Sequence, residues 1–195
     1  AQLARCIPQP LAGGSCDRLP PVFGRRRARF LESMGPDAVA LVVGASLAVR
    51  SHDTEYPFRQ DSDFWYLTGF DQPDAVAVLR TDGGPAFSLF VLPRDRSAEV
   101  WTGYRPGVEG ALRDYGADAA HERSQLTSEL PAILRKARRI YHQLGRRPEL
   151  DQQIVELQET ARRQNKTGLE PATEILDPRS ILHEMRLFKE EAELE

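Results

Sequence analysis

Apolar positions along this chain follow two rhythms. Between Pro20-Pro21 and Gly35-Pro36 they recur at helical spacing, with Phe23, Phe30, Leu31 and Met34 on one face and arginines on the other. Gly35-Pro36 ends that helix, because proline cannot continue the hydrogen-bond ladder. Residues 38–43 (A-V-A-L-V-V) are an unbroken apolar run, which suits a strand covered on both faces. A polar, irregular connection is expected over 45–61. Strand character returns at 61–67, and Gly69 marks a turn. Residues 75–80 and 86–92 read as strands joined by the turn signal Asp82-Gly83-Gly84-Pro85, hence a hairpin. Helices are expected over 107–115 and 124–136, and a short strand over 139–144, closed by Gly145. Residues 149–164 form an amphipathic helix with Ile154, Val155, Leu157 and Ala161 inward. Pro171 and Pro178 punctuate the exit, and 189–195 begins another helical pattern. Buried strands alternating with helices, with a hairpin among them, predict an α/β fold: a mixed β-sheet flanked by helices.

Composition narrows the function classes. A chain of 195 residues can bury one good core. The formal net charge of −3 makes no appeal to nucleic acid as a partner. No apolar run approaches the roughly 20 residues that span a bilayer, so no membrane partner is expected. The basic residues are 23 arginines and three lysines. Among them, Arg25-Arg26-Arg27 with Arg29 reads as the wet face of the first helix rather than a phosphate site. Cys6 and Cys16 stand outside any C-x-x-C pair. Two unpaired thiols in a cytoplasmic protein are the simplest account, and a disulfide between them is the alternative. Residues 1–20 hold prolines and Gly13-Gly14 without a continuous apolar stretch, and read as a tail.

The inventory of reactive side chains yields no catalytic residue and no metal ligand. His52, His121, His142 and His183 are scattered, with no H-E-x-x-H spacing. There is no G-x-S-x-G elbow and no glycine-rich phosphate loop. Residues 50–70 instead combine Tyr56, Phe58, Phe64, Trp65, Tyr66 and Phe70 with Asp53, Glu55, Arg59, Asp61 and Asp63. Phe64-Trp65-Tyr66 is expected in the core, and Arg59 is expected to pair with Asp61 or Asp63. Trp101, beside Gly103, can fill a core hole or face another molecule.

The run Glu55-Tyr56-Pro57-x-Arg59-Gln60-x-Ser62-Asp63-Phe64-Trp65-Tyr66-x-Thr68-Gly69-Phe70 resembles the N-terminal domain of the aminopeptidase P family. So do Arg50-Ser51 with Asp53, Glu99 to Trp101, Arg163-Gln164-Asn165 and His183 to Lys189. The wording is closer to aminopeptidase P than to creatinase or the short prolidases. The resemblance implies an N-terminal α/β domain over 21–178, after a tail at 1–20. A connector over 179–195 would lead into a catalytic pita-bread domain absent from this chain. In the family that second domain holds two divalent metal ions, usually manganese, and cleaves peptides whose second residue is proline; this segment would bind none of the metal. Homo-oligomers, dimers or tetramers, are expected. The family positions that reach toward substrate fall on Asp53, Trp101 and Arg163: Asp53 toward a charged partner or the free amine, Trp101 as a stacking wall, Arg163 toward a carboxylate. Two alternatives stand beside this. One is a stand-alone binding module of the same architecture; the other is part of a prolidase-type dipeptidase.

Overall fold

The structure, a computed structural model, describes residues 21–52, 54–95, 99, 104–163 and 171–189. Helix α1 (Pro21–Met34) buries Phe23, Phe30 and Met34 along one stripe, as its spacing predicts. Strand β1 (Ala38–Val43) is buried along its whole length. The connection after it contains a small exposed ribbon of β2 (Val49–Ser51) and β3 (Thr54–Glu55). Helix α2 (Ser62–Thr68) follows, then the antiparallel pair β4 (Val76–Arg80) and β5 (Phe87–Val91). Next come α3 (Gly107–Asp114), β6 (Ala119–Glu122), a 3-10 turn at Arg123–Gln125 and α4 (Leu126–Leu134). The order closes with β7 (Arg139–His142), α5 (Pro148–Arg163), β8 (Glu174–Leu176) and α6 (Arg179–Leu187).

Six strands form one mixed sheet in the order β6-β5-β4-β1-β7-β8. β1 runs parallel to β7, β7 to β8 and β5 to β6, while β4 is antiparallel to both β1 and β5. Five strands therefore point one way and β4 alone is reversed. The period-two alternation of β1 divides the core. Ala38, Ala40 and Val42 face a layer with Phe30, Phe64, Leu67, Ala111, Leu182 and Met185 from α1, α2, α3 and α6. Val39, Leu41 and Val43 face Leu126, Leu130, Ile133, Leu150 and Ile154 from α4 and α5. The continuous apolar run in β1 is thus the signature of a strand sandwiched between two helical layers. The expected connector begins inside this core, since α6 buries Leu182 and Met185.

Three expectations are corrected. Residues 61–67 are not a strand: Ser62–Thr68 is helical. The β propensity of Phe64-Trp65-Tyr66 is overruled by two local caps. Asp61 Oδ1 accepts the amide hydrogens of Asp63 and Phe64, each at 3.0 Å. Gly69, at φ 63°, donates its N–H to the carbonyl of Trp65. Phe64 and Tyr66 are buried as expected, but Trp65 is 43% exposed. Second, Arg59 is exposed and does not pair with the aspartates beside it; Asp61 takes Arg146 and Asp63 takes Arg186. Third, Val155 points outward at 53% exposure, one residue round the helix from the buried Ile154. Gln158 is buried on α5 instead, and accepts the Ala172 N–H at 2.6 Å.

The arginine cluster of α1 is more than a wet face. Arg26 and Arg27 donate to the carbonyls of Tyr66 and Leu67 in the last turn of α2, and lie over the rings of Tyr66 and Phe87. Cations at a helix C-terminus satisfy its free carbonyls and complement its dipole.

Candidate functional site

Strand polarity defines one edge of the sheet. The carboxyl ends of β1, β5, β6, β7 and β8 all emerge there, beside the start of β4. Open α/β sheets bind ligands outside such ends. The connection 44–61 leaves this edge from β1, the described residues 92–95 leave it from β5, and 143–147 leaves it from β7.

The first connection is tied down by one amide. Gln60 Oε1 accepts the N–H groups of Ala45 and Asp61, and its Nε2 donates to the carbonyls of Phe70 and Gln72. It thereby pins both arms of the 45–60 segment to the loop after α2. Two arginines from the β7–α5 loop reach the same place. Arg146 pairs with Asp61, and Arg147 with Asp74, each at 2.7 Å. Ser46 Oγ also donates to Asp74 at 2.8 Å. Burial opposes the charge on Asp74, yet the hydrogen bonds from Arg147 and Ser46 and the charges of Arg147 and Arg123 prevail. They hold its carboxyl below the ordinary range. Burial, followed by repulsion from Arg147, lowers the Arg123 guanidinium in turn. Behind them His142 is buried, with Nε2 2.7 Å from Asp151 Oδ1 and Nδ1 3.2 Å from the Leu41 carbonyl. Asp151 Oδ2 accepts the Gly145 N–H, so the β7–α5 loop is fixed at its root.

The second connection is clamped by Glu99. Its carboxylate takes Arg94 in a fork, at 2.8 and 3.1 Å, and accepts the Arg105 N–H at 3.2 Å. Bonding to Glu99 stabilises the charged Arg94, which also lies 5.2 Å from the centre of the Tyr104 ring. Beside this clamp is a cavity of about 500 Å³ lined by Arg94, Tyr104, Gly107, Gly110, Arg113 and Glu122. Gly107 has φ 62°, and a Cβ there would stand 3.0 Å from that of Arg94. Glycine is what lets α3 start so close. Asp61, Asp74, Asp151 and Glu99 are all committed to arginine, histidine or backbone partners. Among the described residues, these four carboxylates therefore brace the edge.

Among the described residues, no group of three or more His, Cys, Asp or Glu side chains is arranged to hold a metal ion. These described side chains do not fit a divalent pair. No helix among them is long and apolar enough to cross a membrane.

The profile of the family described as "Aminopeptidase P, N-terminal domain" matches residues 23–141. The chain belongs to that family. The Xaa-Pro aminopeptidase of Escherichia coli (strain K12) is 38% identical over 174 residues, covering 88% of this chain and 40% of that protein. Pseudomonas aeruginosa aminopeptidase PepP superimposes with a TM-score of 0.81 at 34% identity, over 91% of this chain and 40% of that one. A zinc-substituted E. coli aminopeptidase P in complex with product gives 0.81 at 36% identity, over 91% and 41%. The chain thus spans about two-fifths of the length of these relatives. The expected fold and family are both found.

Within this aminopeptidase P N-terminal domain, the three expected site positions stand differently. Asp53 and Trp101 lie outside the described residues. Their described neighbours, His52 and Thr54, Glu99 and Tyr104, belong to the two connections leaving the carboxyl edge. Arg163 is at the other edge. α5 starts at the carboxyl end of β7 and runs back 16 residues, about 24 Å at 1.5 Å per residue. The chain then meets the start of β7, where the Thr173 N–H bonds to the Arg138 carbonyl. Arg163 is exposed there and pairs with Glu159 at 2.6 Å, one turn back on α5. The sequence reading missed Gln60, Asp74, Arg146 and Arg147 as organisers of this edge. No local pattern could have shown the two ion pairs, whose partners lie 85 and 73 positions apart.

Proposed function

We propose that this chain is the N-terminal, non-catalytic part of a metal-dependent Xaa-Pro aminopeptidase, which removes the first residue from peptides with proline in second position. The observation that carries this reading is the 38% identity to the E. coli Xaa-Pro aminopeptidase over 88% of the chain, confined to 40% of that enzyme. In the longer protein, divalent metal, manganese in this reading, supplies an activated water for the hydrolysis. The residues of this chain shape the entrance. Asp53 orients the free amine, and Trp101 offers a flat apolar wall to the proline ring. Arg163 binds a carboxylate. Because Arg163 sits at the opposite sheet edge from the segments flanking Asp53 and Trp101, it serves this role across a contact between subunits of a homo-oligomer.

The test is hydrolysis of an Xaa-Pro peptide with manganese present. The 195-residue chain is expected to release no first residue, and the protein carrying the downstream sequence is expected to release it in a metal-dependent way. Metal-dependent release by the short chain would overturn the division of labour. Inactivity of the longer protein would favour a binding module of the same architecture.

A further inference from the structure

Among the described residues His142 is the one buried histidine, and both of its ring nitrogens meet oxygens that only accept hydrogens. Nδ1 faces the Leu41 carbonyl of β1 at 3.2 Å, and Nε2 faces the Asp151 carboxylate of α5 at 2.7 Å. A neutral imidazole carries one N–H and can serve only one of them; its other nitrogen would turn a lone pair toward an oxygen. An imidazolium serves both and balances the carboxylate, the condition under which a charge is tolerated inside a protein. The rest of this face is apolar where β1, α4 and α5 meet, with Leu41, Val43, Leu126, Leu150 and Ile154. The nearby guanidinium groups are directed elsewhere: Arg146 and Arg147 pair with Asp61 and Asp74, and Arg123 is attracted by Asp74 and Glu149. Asp151 passes the constraint on. Its Oδ2 accepts the N–H of Gly145, which turns at φ 85° into Arg146 and Arg147. Arg146 then holds Asp61, at the far end of the 44–61 connection. Arg147 holds Asp74, which accepts the hydroxyl of Ser46 near its start.

We propose that His142 is a positioning residue: as an imidazolium it binds Asp151, closes the β7–α5 loop, and through Arg146 and Arg147 sets the connection in which residue 53 lies. The loop is closed while the ring carries both hydrogens and opens when it loses one. The step is a proton transfer alone. The Nε2–H bond breaks, its electron pair stays on nitrogen, and the proton leaves to water past Asp151, whose side chain is 20% exposed. A nitrogen lone pair then faces Oδ1 across the former hydrogen bond, Asp151 turns away, and the Gly145 N–H loses its acceptor. Arg146 and Arg147 move with Gly145, and both ends of the 44–61 connection are loosened together. The inference rests on the reading that this chain shapes the entrance of an Xaa-Pro aminopeptidase, and it makes that entrance answer to a buried proton.

Nuclear magnetic resonance of the 195-residue chain, labelled with nitrogen-15 in histidine and glycine, tests the coupling. Ring signals show which nitrogens of His142 carry hydrogen, and the Gly145 amide shows whether its bond to Asp151 is made. Both are followed from about pH 5 to 9, the range in which histidine charge changes are met. A made Gly145 bond is expected wherever the ring carries two hydrogens, and a broken one wherever it carries one. A made bond beside a singly protonated ring would overturn the proposal, as would a broken bond beside a doubly protonated one. Kinetics of the extended protein, the chain together with its downstream sequence, test the positioning. His142→Leu is expected to raise KM for an Xaa-Pro peptide by about threefold with kcat within about twofold, the pattern of lost binding rather than lost chemistry. His142→Gln, which returns a hydrogen to Asp151, is expected to recover most of that loss. Leucine and glutamine variants with equal KM, whether at the parent value or above it, refute the positioning role alone. An extended protein that cleaves no such peptide, while ring and Gly145 amide still change together, refutes the enzymatic reading alone.

Discussion

Replacing Asp61 by alanine should cost the fold about 1–3 kcal/mol, and asparagine should recover most of it. Asp61 does two separable jobs. Its Oδ1 caps α2 by accepting two amide hydrogens at 3.0 Å, and its Oδ2 receives Arg146 at 2.7 Å. Loss of an N-cap costs about 0.5–2 kcal/mol. The ion pair joins side chains 39% and 23% exposed, so it adds only about 0.2–1 kcal/mol. For a chain of this size, each kcal/mol moves the melting temperature by about 2–4 °C. Asp61→Ala should therefore melt several degrees lower, while Asp61→Asn keeps a capping oxygen and loses only the charge. The assay is thermal unfolding followed by circular dichroism at low and high salt, since salt screens the ion pair and the carboxylate's charge–dipole attraction but not the cap's hydrogen bonds. Equal losses for asparagine and alanine, or a salt dependence accounting for the whole effect, would refute the view that capping makes this segment helical.

Gln60→Glu should destabilise by about 2–4 kcal/mol, as a carboxylate would face the Phe70 and Gln72 carbonyls without a hydrogen to donate; chemical denaturation measures it, and a neutral result would show that Gln60 does not pin the connection. Asp74 is depressed in the fold, so its stabilising effect is complete above the unfolded carboxylate range near pH 4 and is lost as pH falls through its lower folded value. Asp74→Asn should flatten stability against pH on the acid side while leaving its slope near neutrality unchanged. In the extended protein, Trp101→Ala should lower turnover of Xaa-Pro peptides by tenfold or more with a melting temperature within a few degrees of the parent, about the loss of one stacking wall; a large drop in melting temperature with normal specific activity would place Trp101 in the core instead.

The layers of the fold were legible because β1, β4 and β5 are buried on both faces and their apolar runs say so. α1 and α5 were legible from their spacing. α2 was not, although its boundaries stand in the sequence as Asp61 and Gly69. Seven residues carry little helical period, and three consecutive aromatics favour a strand until the caps are weighed. The edge strands β6 and β8 carry sparse patterns, A-A-H-E and E-I-L, because each is paired on one side only. The family signature of residues 55–60 falls on the connection that leaves the candidate edge from β1. The ion pairs that brace it join residues brought close only by the sheet.

The reversal of β4 leaves the two rims of the sheet unlike. The rim opposite the candidate site includes the turn 81–86, where Gly83 has φ 90° and open space around it. A dye, an affinity handle or a short inserted peptide at Gly83 would stand on the far side of the molecule from the connection that follows β1, and would give a reporter or a tether away from the candidate edge.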